Sequence, residues 1–108
     1  MTTSAAVHVL CLYRVKAGQE AAFVELLRRH WPALRRSELA TDEPAQVQRA
    51  KDRKGGTVFV ERFAWRSAES SGLAHQSPEV MAVWEPMGAL CEGMEFLDVE
   101  PVKIDFVG

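Results

Sequence analysis

The sequence has little of several residue types that define specialised classes of protein. It contains two cysteines, Cys11 and Cys91, and their spacing does not suit a metal site, so we expect two buried free thiols. Its formal net charge is −2, which leaves no excess of positive charge for a phosphate backbone. We therefore expect no nucleic-acid partner.

Signatures of nucleotides, metals and membranes are also missing. There is no Gly-x-Gly-x-x-Gly and no P-loop, and Gly55-Gly56 falls in a predicted hairpin. The three histidines are not spaced as metal ligands. Residues 1–6 lack a basic region, and His8 and Arg14 break the apolar run that follows, so neither a signal peptide nor a membrane span is predicted. We expect a cytoplasmic protein without a cofactor or metal.

What the sequence does have is the composition of one globular domain. Hydrophobic residues make up 47% of the chain and charged residues 26%, which are ordinary values for a folded protein. A chain of this length buries roughly two-thirds of the surface that its unfolded form exposes. We predict a single domain over residues 1–108.

Hydrophobic periodicity predicts a strand, a helix and a hairpin in the first part of the chain. Residues 6–16 alternate as a strand, with Cys11 and Tyr13 on one face. Residues 19–39 have apolar residues at helical spacing, and Pro32 predicts a kink or a break. Residues 46–51 and 57–66 are predicted strands, joined by a turn that contains Gly55 and Gly56.

Serine and proline residues mark helix starts in the second part. Ser67 is predicted to cap a short helix, and Ser77 with Pro78 to begin a longer one that ends near Gly93. This places Cys91 in a helix. Residues 94–107 are predicted as a final strand, in which Pro101 favours a break.

The order strand, helix, strand, strand, helix, strand predicts a ferredoxin-like α+β fold. Such a fold has a four-stranded antiparallel sheet with both helices on one face. Four apolar residues fall on the opposite face, namely Leu10, Leu12, Val58 and Val60. We therefore expect a homodimer in which two sheets pack together.

Two segments resemble the antibiotic-biosynthesis-monooxygenase-like family of small dimeric α/β-barrel proteins. One is Tyr13-Arg14-Val15-Lys16-Ala17-Gly18-Gln19-Glu20; the other begins at Trp65-Arg66-Ser67 and continues to His75-Gln76-Ser77-Pro78. The resemblance implies a homodimer with one pocket per subunit, between sheet and helices. The family includes quinol monooxygenases, polyketide-tailoring oxygenases and haem-degrading enzymes. The haem-degrading branch carries Asn, Trp and His where this chain has Cys11, Ala74 and Trp84, so that branch is disfavoured.

His75 is the first candidate for a catalytic residue, because a histidine can take a proton from a phenol near neutral pH. Its alternative is structural, as a cap or a backbone partner at the Ser77 helix start. Tyr13 is predicted to orient the substrate as a donor, or else to satisfy its hydroxyl at the sheet edge. The predicted substrate-binding residues are Trp65, Trp84, Cys11 and His30.

These substrate-binding candidates also have structural alternatives. Trp65 and Trp84 would serve equally as core aromatics. His30 lies in His30-Trp31-Pro32, which predicts either a pocket rim or a helix distortion. Glu61 and Arg62 are charged residues in an apolar strand, where a salt bridge across the dimer interface is favoured over a polar anchor in the pocket.

The leading hypothesis is a cofactor-independent monooxygenase that acts on a quinol or polyphenol. The protein would deprotonate the substrate and hold it in a dry pocket where dioxygen reaches it. One alternative is a non-catalytic homodimer that binds a small apolar or aromatic ligand or a partner protein. Another is an oxygen-independent isomerase or lyase on the same scaffold.

Overall fold

The computed structural model describes residues 5–108, in four strands and three helices. The strands are β1 (Val7–Val15), β2 (Gln46–Lys51), β3 (Thr57–Trp65) and β4 (Cys91–Asp98). The helices are α1 (Glu20–Arg36), α2 (Ser70–Ala74) and α3 (Pro78–Ala89). None of these helices is long and apolar enough to cross a membrane. The expectation about a signal peptide rests partly on residues 1–4, which lie outside the described residues.

The four strands form one antiparallel sheet in the order β2-β3-β1-β4. This order confirms the predicted ferredoxin-like fold. Alternation along β1 buries Val9, Cys11 and Tyr13 against the helices. The strand register sets Glu61 of β3 and Phe96 of β4 beside Cys11 on this helix-covered face.

The hydrophobic core lies between this sheet face and the helices. Phe23 and Leu34 of α1 are fully buried, and Val80 and Met87 come from α3. Phe23 packs on the rings of Tyr13 and Phe59, at centroid distances of 5.1 and 5.5 Å. The face of β1 that carries Cys11 and Tyr13 is therefore the core face, a choice between the two faces that the sequence leaves open.

Of three sequence-based expectations about the helices, the break given as one alternative at Pro32 and the Ser67 cap are wrong, whereas the Ser77 cap is confirmed. Helix α1 continues through Pro32 without a break. Ser67 does not cap α2: the helix begins after Glu69, and the Ser67 hydroxyl lies 3.2 Å from that of Ser70. Ser77 caps α3 as predicted, because its hydroxyl accepts a hydrogen bond from the Val80 amide.

The predicted end of α3 is wrong, and so is the predicted length of the last strand. Helix α3 ends at Ala89, and Cys91 begins β4 by pairing with Val15, so Gly93 lies in a strand. Strand β4 stops at Asp98 rather than at residue 107. The Val99 amide makes the last backbone bond to β1, and Pro101 lacks the N–H that a further ladder bond needs.

Apolar side chains remain on two surfaces outside the core. The open sheet face carries Val58, which is buried, Leu10, Leu12 and Val60, which are half-buried, and Leu97, which is exposed. Residues 99–108 form no helix or strand, and Val102, Ile104 and Phe106 in this C-terminal tail are largely exposed. Their spacing of two residues is that of one strand face.

Candidate functional site

A cavity of about 240 Å³ lies between the sheet and the helices. It is lined by residues from all three helices and three strands: Val9, Cys11, Tyr13, His30, Phe63, Trp65, Ser71, His75, Trp84, Met87, Met94, Phe96 and Asp98. All six residues that the sequence proposes for the site are among them. The structure brings these residues together, whereas their roles in binding or catalysis stay predictions.

Aromatic rings form a continuous wall of the cavity. Trp65 meets Phe63 edge-on at a centroid distance of 4.9 Å and meets Trp84 at 6.4 Å. The ring of His30 lies edge-on to Phe63 at 5.6 Å. Flat faces and edges at these distances suit the packing of an aromatic ligand.

Four buried or half-buried polar side chains are joined in one hydrogen-bond chain at the cavity wall. The indole N–H of Trp84 donates to His30 Nε2 at 2.8 Å. His30 Nδ1 lies 2.9 and 3.0 Å from the two carboxylate oxygens of Glu61. The Tyr13 hydroxyl donates to Glu61 Oε1 at 2.7 Å. We call these four residues the buried polar chain.

The donors in the buried polar chain fix the tautomer of His30. An indole nitrogen is only a donor, so His30 Nε2 must be an acceptor and carries no hydrogen. The hydrogen of the neutral ring is then on Nδ1, which donates to Glu61. Glu61 accepts from two donors, as a carboxylate does.

The favoured interpretation of Glu61 as half of a salt bridge across the dimer interface is wrong. Glu61 is fully buried within one subunit, on the helix-covered face of β3, and its partners are Tyr13 and His30. Arg62 is exposed and lies on the opposite face, because successive strand residues point to opposite sides. The alternative of a polar anchor at the pocket agrees with this geometry.

Burial and the negative charge of Glu61 raise the pKa of Tyr13 well above its ordinary value. Both causes disfavour the phenolate form. Tyr13 therefore remains a neutral hydroxyl whose hydrogen is committed to Glu61. Only its oxygen lone pairs remain for another partner.

His75 lies at the mouth of the cavity and is exposed. Its ring lies edge-on to Trp84 at a centroid distance of 4.9 Å. The start of α3 is capped by Ser77, not by His75, and within residues 5–108 the imidazole forms no hydrogen bond. The structural alternative, in which this ring caps the helix or holds a backbone carbonyl, is therefore not what the structure has.

Several cavity residues were missed by the sequence analysis. Ser71 and Asp98 are exposed polar residues at the mouth, and Met94 and Phe96 extend the wall along β4. Alternation along β4 would have placed Met94, Phe96 and Asp98 on one face. No local signal identifies Ser71, which lies in a five-residue helix.

No cluster of metal ligands accompanies the cavity in the described part of the chain. Within residues 5–108, no three His, Cys, Asp or Glu side chains are placed together to hold a metal ion. The cysteines at positions 11 and 91 are both free thiols. Cys11 is buried as expected, whereas Cys91 is only half-buried.

Burial raises the pKa of the Cys11 thiol from 9.0 to about 12, and the charge of Glu61 acts in the same direction. A raised folded-state pKa gives stability that is present below the unfolded pKa and lost as the pH rises toward the folded one. Through Cys11, raising the pH from about 8 to about 10.5 is expected to lower the free energy of unfolding by about 2 kcal/mol. Urea unfolding at the two pH values measures this, and in Cys11→Ala the pH effect should shrink by that amount. An unchanged pH effect in the variant would contradict the assignment.

Comparisons with known proteins support the fold. No family model matches the chain, and no curated protein matches its sequence. SnoaB, a cofactor-independent oxygenase from Streptomyces nogalater, superposes with a TM-score of 0.67 at 14% identity, covering 92% of this chain and 97% of SnoaB.

Two further solved structures are similar. A Chloroflexus aurantiacus protein, provisionally assigned as an antibiotic biosynthesis monooxygenase, has a TM-score of 0.61 at 20% identity, covering 96% of this chain and 100% of its own. A NIPSNAP family protein from Agrobacterium tumefaciens has a TM-score of 0.67 at 16% identity, covering 97% of this chain and 93% of its own. The chain therefore has the fold of the antibiotic-biosynthesis-monooxygenase-like proteins, and the resemblance predicted from its sequence is confirmed at that level.

Proposed function

We propose that this protein is a cofactor-independent monooxygenase of small, electron-rich aromatic hydroxyl compounds, with His75 as the base. The observation that carries the proposal is the setting of His75. Its ring nitrogens have no partner within residues 5–108, and it lies against an aromatic wall at the mouth of a cavity. A cavity of about 240 Å³ is slightly smaller than typical drug-sized sites, so it suits a ligand of one or two rings.

The proposed chemistry draws all of its electrons from the substrate. His75 takes the phenolic proton, and electron density moves to a ring carbon that bears hydrogen. Dioxygen bonds to that carbon as a peroxide. Loss of water then leaves a carbonyl oxygen on the carbon, so that dioxygen accepts four electrons and no reductant is consumed.

The other cavity residues would position the substrate. The hydrogen of the Tyr13 hydroxyl is committed to Glu61, so Tyr13 would orient the substrate by accepting from its hydroxyl group. Trp65 and Trp84 would hold the ring, with Cys11 and His30 completing the wall. Orientation and the exclusion of water would supply the rest of the rate enhancement.

Oxygen uptake with a panel of naphthalenediols and catechols tests this proposal. We expect uptake above the autoxidation background, one mole of dioxygen per mole of product, and one ¹⁸O atom from labelled dioxygen in each product molecule. Compounds that bind in the cavity but consume no oxygen across the panel would contradict the oxygenase proposal.

A second candidate is a binding protein without catalysis. It is favoured by the buried polar chain, because the donors of Tyr13, His30 and Trp84 are all committed within the chain and none of the three is free for catalysis. Ligand binding without turnover is its expected result. An isomerase or lyase would instead convert the compound without oxygen uptake.

We also propose that two copies pair through their open sheet faces. Leu10, Leu12 and Val60 are apolar and only half-buried there, and a sheet normally covers its apolar face. A second copy would also give the exposed apolar residues of the C-terminal tail a surface to cover.

Two free thiols suit a reducing compartment, which agrees with a cytoplasmic location.

Replacing Leu12 by glutamate is expected to convert the homodimer into a monomer. The substitution sets a charge on the open face, beside Val60 and Glu95 of the neighbouring strands, where a like charge adds repulsion. Light scattering after size exclusion measures the mass, which should fall by half. Leu73→Glu is the matched control, since Leu73 is an exposed leucine on α2 away from that face. A monomeric wild type would refute the pairing.

A further inference from the structure

In the described part of the chain, the cavity is lined by a carboxylate but by no cationic side chain of fixed charge. Neither lysine nor arginine is among the residues that line it. Asp98 contributes a carboxylate at the mouth, and Glu61 lies behind Tyr13 and His30 in the wall. Among residues 5–108, the basic side chains on the wall are those of His30 and His75.

The charge of Glu61 is not balanced by a cation. Its partners are the neutral Tyr13 hydroxyl and His30, whose ring is neutral because Trp84 donates to Nε2. Within residues 5–108, no lysine or arginine nitrogen lies within 4.0 Å of Glu61. Glu61 therefore places a carboxylate in the interior of the domain with neutral donors as its partners.

This distribution of charge acts on any ligand in the cavity. Electrostatic forces are much stronger between buried groups than in water, because the protein interior screens them weakly. An anion on the ligand would lose its hydration and meet no compensating cation. A neutral group with an N–H or O–H donor would instead find acceptors in Asp98 and in the oxygen of Tyr13.

We propose that the cavity selects by charge, taking uncharged aromatic molecules with donor groups and rejecting aryl carboxylates and other anions. The aromatic part of this ligand class rests on the proposed function. The selection is compatible with the proposed reaction, in which the substrate enters as a neutral phenol. The proton taken by His75 would then make an imidazolium beside the anion, which supplies the positive charge that the wall lacks.

Binding of 2-naphthamide and 2-naphthoate tests the proposal, since the two compounds have nearly the same shape and differ in charge. Isothermal titration calorimetry under nitrogen measures affinity without oxidation. We expect the amide to bind at least tenfold more tightly than the carboxylate. Equal affinities, tighter binding of the carboxylate, or no binding of either compound would overturn the proposal.

Two variants identify the source of the selection. Glu61→Gln removes the buried charge at nearly constant volume, and Asp98→Asn removes the charge at the mouth, where an exposed side chain leaves folding unaffected. We expect at least one of them to reduce the affinity ratio threefold or more, and an unchanged ratio in both folded variants would overturn the proposal. If Glu61→Gln does not fold, the affinity ratio of the wild type alone decides whether the cavity selects by charge.

The outcomes separate this proposal from the oxygenase. A preference for the amide without oxygen uptake by any phenol would leave charge selection standing and remove the oxygenase. Oxygen uptake with equal binding of 2-naphthamide and 2-naphthoate would leave the oxygenase standing and remove charge selection.

Discussion

Replacing His75 by alanine is expected to lower the turnover of aromatic substrates by a factor of about 10² to 10⁴, the usual contribution of a general base. The loss should appear in kcat more than in KM, because the aromatic wall of Trp65 and Trp84 remains in place to bind the ring. His75 is exposed, so the variant should unfold at the same temperature as the wild type. Oxygen uptake and thermal unfolding of the same preparation measure both effects.

The neighbouring Gln76 provides the matched control for this experiment. Gln76 is exposed, lies on the same connecting segment and is not among the residues that line the cavity. Gln76→Ala should retain the activity of the wild type. Full activity in His75→Ala would show that another group takes the proton, and equal losses in both variants would point to a disturbed segment instead.

Replacing Glu61 by alanine is expected to destabilise the fold by about 3 kcal/mol. The substitution leaves two buried donors without an acceptor, the Tyr13 hydroxyl and His30 Nδ1, and each unsatisfied group costs about 1–3 kcal/mol. It also leaves a void where the side chain was fully buried. The substitution also removes the buried carboxylate, and the desolvation penalty that is avoided offsets part of these costs. Urea unfolding at neutral pH measures the difference.

The size-matched variant Glu61→Gln separates lost hydrogen bonds from lost volume. Glutamine still accepts from Tyr13 but places an amide N–H₂ near His30 Nδ1. We therefore expect Glu61→Gln to lower the free energy of unfolding by about 1–2 kcal/mol. Tyr13→Phe should remove one donor and make a later Glu61→Ala change less costly, which a double-mutant cycle detects. A loss below about 1 kcal/mol in Glu61→Ala would contradict the buried polar chain.

The fold was predictable because its signals are local. Alternation in β1 and β3, the glycine turn between β2 and β3, and Ser77-Pro78 at the start of α3 each act within a few residues. Local signals failed where a tertiary bond decides. The early end of α3 follows from the pairing of Cys91 with Val15, which lies at the far end of the sequence.

The candidate site was predictable only in part. His75 is predicted from its proton chemistry and its place between two helical segments, and Trp84 from its aromatic ring; the cavity includes both. The role of Glu61 was missed because its partners His30 and Tyr13 are 31 and 48 positions away. A charge in an apolar strand indicates that a partner exists, but only the packing of α1 on the sheet identifies it.

The buried polar chain should be lost when the protein is selected for thermal stability alone. A protein core packed with apolar residues is often as stable as a core that contains a buried polar group and its partners, or more stable. A library randomised at Tyr13, His30, Glu61 and Trp84, and selected only for survival at high temperature, should therefore drift toward phenylalanine, leucine and methionine. The same library selected for a bound ligand should keep the original residues. The contrast between the two populations would report which positions serve the ligand at the expense of heat resistance.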